Sequence, residues 1–347
     1  PTDEARNSNL RHRPVGLGVM GFQDMLYQLD VPFDSDRAIE VADHVQELIS
    51  YHAILTSSKL AAERGAYPSY PGSKWERGLF PIDTVDLLAK ERGMPIEVSR
   101  TQRLDWTPVR EHVREHGMRN SNTMAVAPTA TISNISGCFP CIEPIYKNIY
   151  VKANISGEFT VVNAYLVRDL KEMGLWDQEM LEKLKYCDGN VTLINEIPDE
   201  LKVKYKEAFE IDAVHCLKLT AARAKWIDQS QSHNVFLKGT SGKKLSETYM
   251  AAWRMGLKTT YSPRSLAATQ VEKSTLDANK FGYTQKREYA AVAAAADGPA
   301  PAQAQAQIPA EPGQPASPLL STGASPAAAD DEPKLCRIDD PDCEACQ

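Results

Sequence analysis

The last nine residues, "DDPDCEACQ", place Cys343 and Cys346 three positions apart. Such a pair can supply half of a metal site, pack as two small side chains, or exchange electrons with other disulfides. A metal would find only one further thiol nearby, Cys336. Packing needs an ordered context, and the stretch from Ala291 to about Leu335 reads "AVAAAADGPAPAQAQAQIPAEPGQPASPLLSTGASPAAADDEPKL". Rich in Ala and Pro and nearly free of aromatic residues, it cannot bury enough apolar surface to offset the entropy of ordering it. Residues 291–335 are therefore expected to form a disordered linker, and 336–347 a redox-active tail. A coil of that length spans roughly 35–40 Å, enough to carry the thiols into a cleft or out to a partner. An exchangeable dithiol fits this setting. It would reduce a buried disulfide, and a partner oxidoreductase would recharge it.

A second C-x-x-C, Cys138 and Cys141 in "GCFPC", follows the hydroxyl-rich turn Pro128-Thr129-Ala130-Thr131-Ile132-Ser133. No His or Cys lies at zinc-site spacing, so these two thiols read as small, partly buried residues. The turn ends a short apolar run and could open a helix. Its free N–H groups and the hydroxyls of Thr129, Thr131 and Ser133 suit a phosphate, but capping a helix uses the same residue types. Spacing alone leaves both uses open. Cys187 and Cys216 sit in helical contexts and read as core residues, while His12, His112 and His116 read as surface or capping residues.

The elements that must hold this turn are legible as an α/β pattern over residues 1–290, expected to be one globular part. "VGLGVMGF" (15–22) reads as a buried strand or strand–loop, and "TMAVA" (123–127) as a short strand ended by Pro128. Ile39, Ala42, Val45, Ile49 and Ala53 recur at helical spacing between Ser35 and Arg64, with Gly65 as the stop. Further helices are expected over 158–174, 212–228 and 243–255, and a strand over "LKTTY" (257–261).

A formal charge of −7 over 347 residues argues against nucleic-acid binding, and 42% hydrophobic content supports a substantial core. The start has no apolar signal-peptide region, and Pro1 stands where an initiator Met would, so the chain reads as a piece of a longer one. No run reaches the ~18 apolar residues of a membrane span. Seven scattered cysteines fit a reducing cytoplasm.

Taken together, "RHRPVGLGVMGFQDMLY", "RNSNTMAVAPTATISNISGC", "WIDQSQSHNVF", "MGLKTTY", "ATQVEKSTLD" and the tail "CRIDDPDCEACQ" resemble the C-terminal portion of the large (alpha, catalytic) subunit of class I ribonucleotide reductase. The resemblance covers nearly all of residues 8–285. It implies a ten-stranded α/β barrel, of which this chain supplies roughly the second part. It implies that Pro128, Thr129, Ala130, Thr131 and Ile132 hold the diphosphate of a ribonucleoside diphosphate. Cys343 and Cys346 would pass electrons from thioredoxin or glutaredoxin to an active-site disulfide. The helices around 213–257 would lie near the groove where the small (beta) radical-generating subunit docks.

The family's thiyl-radical cysteine, its Asn and Glu neighbours, the active-site disulfide and the ATP/dNTP effector sites all fall before this chain. The fragment would thus bind no cofactor itself, depend on the beta-subunit metal/radical cofactor and on the N-terminal part of its own subunit, and be inactive alone. One departure is local. The family reads Thr-Tyr-Tyr-Leu-Arg, with adjacent tyrosines relaying the radical, and this chain reads Thr260-Tyr261-Ser262-Pro263-Arg264. Tyr261 matches the first tyrosine and Ser262 replaces the second. Two other readings follow: a fragment of the cobalamin-dependent class II reductase, or a non-catalytic subunit- or thioredoxin-binding module.

Overall fold

The computed structural model describes residues 2–154, 157–239 and 241–264. The linker 291–335 and the tail 336–347 lie outside the described residues, Cys343 and Cys346 included. A division of the chain between Tyr283 and Thr284 leaves every described residue in the first unit.

The helices are α1 (Asp3–His12), α2 (Phe22–Gln28), α3 (Asp36–Arg64), α4 (Asp83–Arg92), α5 (Thr107–His116), α6 (Ile132–Ser136), α7 (Ala164–Glu172), α8 (Gln178–Tyr186), α9 (Asp199–Lys204), α10 (Ala213–Ala224) and α11 (Gly242–Arg254). The strands are β1 (Ile149–Asn154) and β2 (Gly157–Val162), an antiparallel hairpin, and β3 (Asn234–Phe236) and β4 (Ser262–Arg264), a parallel pair.

Single parallel bridges join Leu17 to Met124 and Val126 to Gln231. The chain thus lays down segments at 15–18, 123–127, 231–236 and 261–264 side by side, each parallel to the next. Backbone bonds stitch them: Leu17 N–H to Thr123 C=O at 2.9 Å, Ser232 N–H to Val126 C=O at 2.8 Å, and Tyr261 N–H to His233 C=O at 2.8 Å. Parallel strands need long crossovers, and the helical segments between them supply these. Gly18 is required by the closeness of the first pair, because a Cβ there would stand 2.4 Å from the Ala125 carbonyl oxygen. The 15–22 segment is a strand–loop but not a buried one: Val15 and Leu17 are each 50% exposed.

Two elements differ from expectation. The 158–174 helix is shorter, because the chain stays extended to Val162 and Asn163 then caps α7 by accepting from Tyr165 N–H at 3.1 Å. The strand expected at 257–261 begins at Ser262 instead, since Lys258 turns inward to bond three carbonyls.

The largest core cluster lies between α3, α5, α10 and the loops around Trp75 and Phe80. α3 starts at Ser35, whose Oγ accepts from Ala38 N–H at 3.2 Å, and ends against Gly65 at φ 77°. Its buried face carries Asp43, Gln46, Glu47 and Ser50 beside the apolar stripe read from the sequence, of which Ala42 is buried and Ile39, Val45, Ile49 and Ala53 pack against the core. Asp43 accepts from Trp226 Nε1 at 2.6 Å and from Lys225 Nζ at 2.9 Å. Glu47 accepts from the Arg103 and Leu104 N–H groups and from Trp106 Nε1 at 3.1 Å. The two indoles so anchored stack at 5.6 Å with planes 5° apart. Buried carboxylates are tolerated here because every one is bonded.

A second cluster packs Tyr27 and Tyr205 against α7, α8 and α9. At its edge Glu207 accepts from Asn148 N–H at 2.8 Å and lies 3.3 Å from Lys147 Nζ. Burial outweighs both contacts and pushes its carboxyl up to about 7. The folded value exceeds the unfolded one, so this contribution to stability is full below the unfolded carboxylate range and is lost as pH rises through 7. The loss amounts to about 3 kcal/mol at most. Urea midpoints at pH 5 and pH 8 (test conditions chosen to bracket that ~7 value) should therefore differ less in Glu207→Gln than in the wild type. An equal pH dependence in the two proteins would refute the assignment.

Candidate functional site

Pro128, Thr129, Ala130, Thr131 and Ile132 lie together where the 123–127 segment leaves the parallel array and enters α6. Loops at the carboxyl ends of parallel strands are where open α/β sheets bind ligands. The Thr129 hydroxyl oxygen accepts from Cys141 N–H at 2.7 Å, which ties the loop to the chain beyond α6. The Ala130 and Ser133 N–H groups bond within the loop, to the Pro128 and Thr129 carbonyls. The N–H groups of Thr129, Thr131 and Ile132 find no acceptor among the described residues. Ser133, one of the three hydroxyls read as phosphate donors, is buried and donates to the Ala130 carbonyl at 3.3 Å. It shapes the loop, and with the half-buried Thr129 hydroxyl engaged by Cys141 it leaves Thr131 as the exposed hydroxyl. Three N–H groups without acceptors at the head of a helix are donors of the kind that an anion can take.

The surroundings fix the loop from both sides. Asp228 accepts from Thr123 N–H at 2.7 Å, from the Thr123 hydroxyl at 2.9 Å and from Met124 N–H at 2.9 Å. Burial raises its carboxyl above the usual range against these bonds. Gln229 Nε2 donates to the Val15 carbonyl at 2.7 Å and Gln231 Nε2 to the Thr220 carbonyl at 2.7 Å. On the far side Asp24 accepts from Phe139 N–H at 2.7 Å, and Gly21 N–H donates back to the Phe139 carbonyl at 2.9 Å. Glu143 takes the Asn234 N–H at 2.7 Å and its side-chain amide at 2.8 Å. The sequence reading missed Asp228, Gln229, Gln231, Asp24 and Glu143. The available signal was the polar run "DQSQS" between Trp226-Ile227 and Val235-Phe236, too polar for a buried strand unless its side chains bond neighbouring backbone.

Cys138 and Cys141 are free thiols, and burial pushes Cys138 up and Cys141 up to about 11. Cys141 Sγ donates to the Ser232 carbonyl at 3.7 Å. Thiols so protonated are poor nucleophiles, in keeping with a packing role. Cys216 is buried in the core, Cys187 packs at the rim of the second cluster, and His12 Nδ1 is bonded to Ser69 Oγ at 2.6 Å. His233 is buried neutral, its ring held down at about 3. Tyr261 stands two segments from the loop across β3 and is 57% exposed. Among the described residues no group of three or more metal-ligating side chains occurs, and no helix is long and apolar enough to cross a membrane.

Comparison with known proteins bears on the family and the fold. A family model described as "Ribonucleotide reductase, barrel domain" matches residues 1–262. The chain is 54% identical over 283 residues to a ribonucleoside-diphosphate reductase subunit alpha of Chlamydia pneumoniae, covering 81% of this chain and 27% of that protein. It is 39% identical over 289 residues to a ribonucleoside-diphosphate reductase large chain of Neurospora crassa, covering 83% and 30%. A solved structure, the Actinobacillus ureae class Id ribonucleotide reductase alpha subunit, superposes with a TM-score of 0.56 at 27% identity, covering 77% of this chain and 41% of that one. The chain thus spans under a third of the length of these two sequence relatives.

Proposed function

Since this chain belongs to the ribonucleotide reductase barrel-domain family, we propose that it forms the second part of a reductase large-subunit barrel, holding a ribonucleoside diphosphate by its diphosphate at Pro128–Ile132. The reaction is the radical-based reduction of ribonucleoside diphosphates to deoxyribonucleoside diphosphates for DNA synthesis. The observation that carries this reading is the set of acceptor-free N–H groups of Thr129, Thr131 and Ile132 at the strand ends. The radical would come from the small (beta) subunit, and the thiyl cysteine and effector sites from the N-terminal part of the same subunit. Each turnover oxidises two active-site thiols to a disulfide. Cys343 and Cys346 would return two electrons and two protons to it, becoming a disulfide themselves, and thioredoxin or glutaredoxin would reduce that disulfide in the cytoplasm.

Thr131→Pro removes one of the three N–H donors, and the native φ of −87° lies near the range Pro allows. In a full-length subunit it is expected to raise KM for a ribonucleoside diphosphate about 10-fold or more, with kcat affected less. Thr131→Ala, which keeps the N–H, should change KM far less. Equal KM values for Thr131→Pro and wild type would remove the loop from the phosphate site. Ser262 favours a second reading, the cobalamin-dependent class II reaction, which needs no tyrosine pair. A cobalamin requirement in the full-length protein would select it.

A further inference from the structure

A cavity of about 350 Å³ lies between α4, the 94–98 segment, α10 and the turn after α11. It shares no residue with the 128–132 loop. Its walls are aliphatic, with Val85 and Leu88 from α4, Ile96 beyond it, and Met255 at the end of α11. The walls are tied together before any ligand arrives. Arg92 donates to the Trp253 carbonyl at 2.5 Å and lies 4.4 Å over the Trp253 ring, which clamps α4 to α11. At Gly256, with φ 76°, a Cβ would stand 2.7 Å from Ile96 Cγ2, so the turn seats tightly on the opposite wall.

The charges of this cavity are one-sided. Lys74, Arg77 and Lys258 line it, with Glu91 the one acid, while Lys225, also in the lining, is already paired with Asp43 at 2.9 Å. Lys74 and Arg77 are exposed and make no ion pair among the described residues. Lys258 spends its three donors on the carbonyls of Ile227, Asp228 and Gln229 at 2.8, 3.0 and 2.7 Å. Burial first, and Lys74 beside it, hold Lys258 down at about 8 against the opposing pull of the Asp228 charge. A preformed apolar hollow rimmed by cations short of counter-charge is the ordinary construction of a small-molecule anion site.

We propose that this cavity binds an organic anion, its phosphate or carboxylate head between Lys74 and Arg77 and its apolar body against Val85, Leu88, Ile96 and Met255. The volume suits a body of mononucleotide or medium-chain acyl size, and the shared chemistry is one anionic head on an apolar frame. None of its residues serves the 128–132 loop.

Calorimetric titration of the full chain with adenosine 5′-monophosphate and, separately, with decanoate tests it. One of the two is expected to show binding that the cavity variants below remove, and which one does so identifies the body as a base and sugar or an acyl chain. Lys74→Glu with Arg77→Glu, both on the surface, should weaken that binding by about 10-fold or more. Leu88→Trp, which fills the hollow and keeps the cations, should abolish it. Should Leu88→Trp fail to fold, the charge-reversed protein decides alone. Absence of binding by either probe up to about 1 mM, or undiminished binding to the charge-reversed protein, overturns the proposal.

Discussion

Turnover driven by the small subunit is expected to rise by orders of magnitude when Ser262 becomes Tyr and Pro263 becomes Leu in a full-length large subunit carrying this sequence. The family relay passes an electron and a proton between adjacent phenols, and a saturated alcohol has no π system over which to spread an unpaired electron. Here the Ser262 hydroxyl donates to the Pro263 carbonyl at 3.2 Å, and Tyr261 stands exposed with no second phenol beside it in the chain. The two departures leave the local backbone pairing intact. β4 forms with Ser262 opposite Asn234 and Pro263 opposite Val235, and the Leu237 N–H reaches the Arg264 carbonyl at 3.1 Å. Among the described residues β4 pairs on one side only, where a Pro is tolerated. Ser262→Tyr alone should thus carry most of the gain and Pro263→Leu alone little. Deoxynucleotide formation with small subunit and thioredoxin supplied is the measurement. Unchanged turnover in the double variant would dispose of the relay argument.

Asp43→Ala is expected to destabilise the fold by about 3–5 kcal/mol, the cost of stranding a buried partner charge. Asp43 answers three donors: Lys225 Nζ, Trp226 Nε1 and Arg103 Nη1. Lys225 is 1% exposed at its side chain, and its other bonds go to the Ser99 and Thr101 carbonyls, which carry no net charge. Removing the carboxylate leaves an ammonium group in the core and an indole N–H without its acceptor. Asp43→Asn, which keeps an acceptor but not the charge, should lose less. Asp43→Ala combined with Lys225→Met should recover part of the loss, since the stranded charge goes too. Urea unfolding of the four proteins measures this. A double variant no more stable than Asp43→Ala would show that packing, not charge, sets the cost.

These two cases mark what could be read from residue order. Helix positions came through where caps and stops are chemical: Ser35 and Gly65 bound α3, Asp212 caps α10 and Ser241 caps α11. The buried carboxylates of α3 did not, because periodicity counts apolar residues and this helix buries Asp43 and Glu47 beside them. Their partners lie far along the chain, Lys225 and Trp226 more than 180 residues after Asp43. The 158–174 segment misled because its apolar residues continue from β2 into α7 across Asn163, whose capping bond marks the change. The loop at 128–132 was visible as a run of hydroxyls. Which hydroxyl faces outward was not, since Ser133 is turned in by a bond to its own loop.

The Asp228 brace has a consequence in time. Thr123 and Asp228 are 105 residues apart, so the three bonds that hold the loop's strand cannot form until that much more chain has been made. At about 5–20 residues per second the wait is roughly 5–20 seconds. During it the 123–127 segment has its bridge to Leu17 available but neither Gln231 nor the Asp228 carboxylate. The strand that leads into the 128–132 loop is thus braced only after Asp228 has been made, although the loop's own residues emerge earlier.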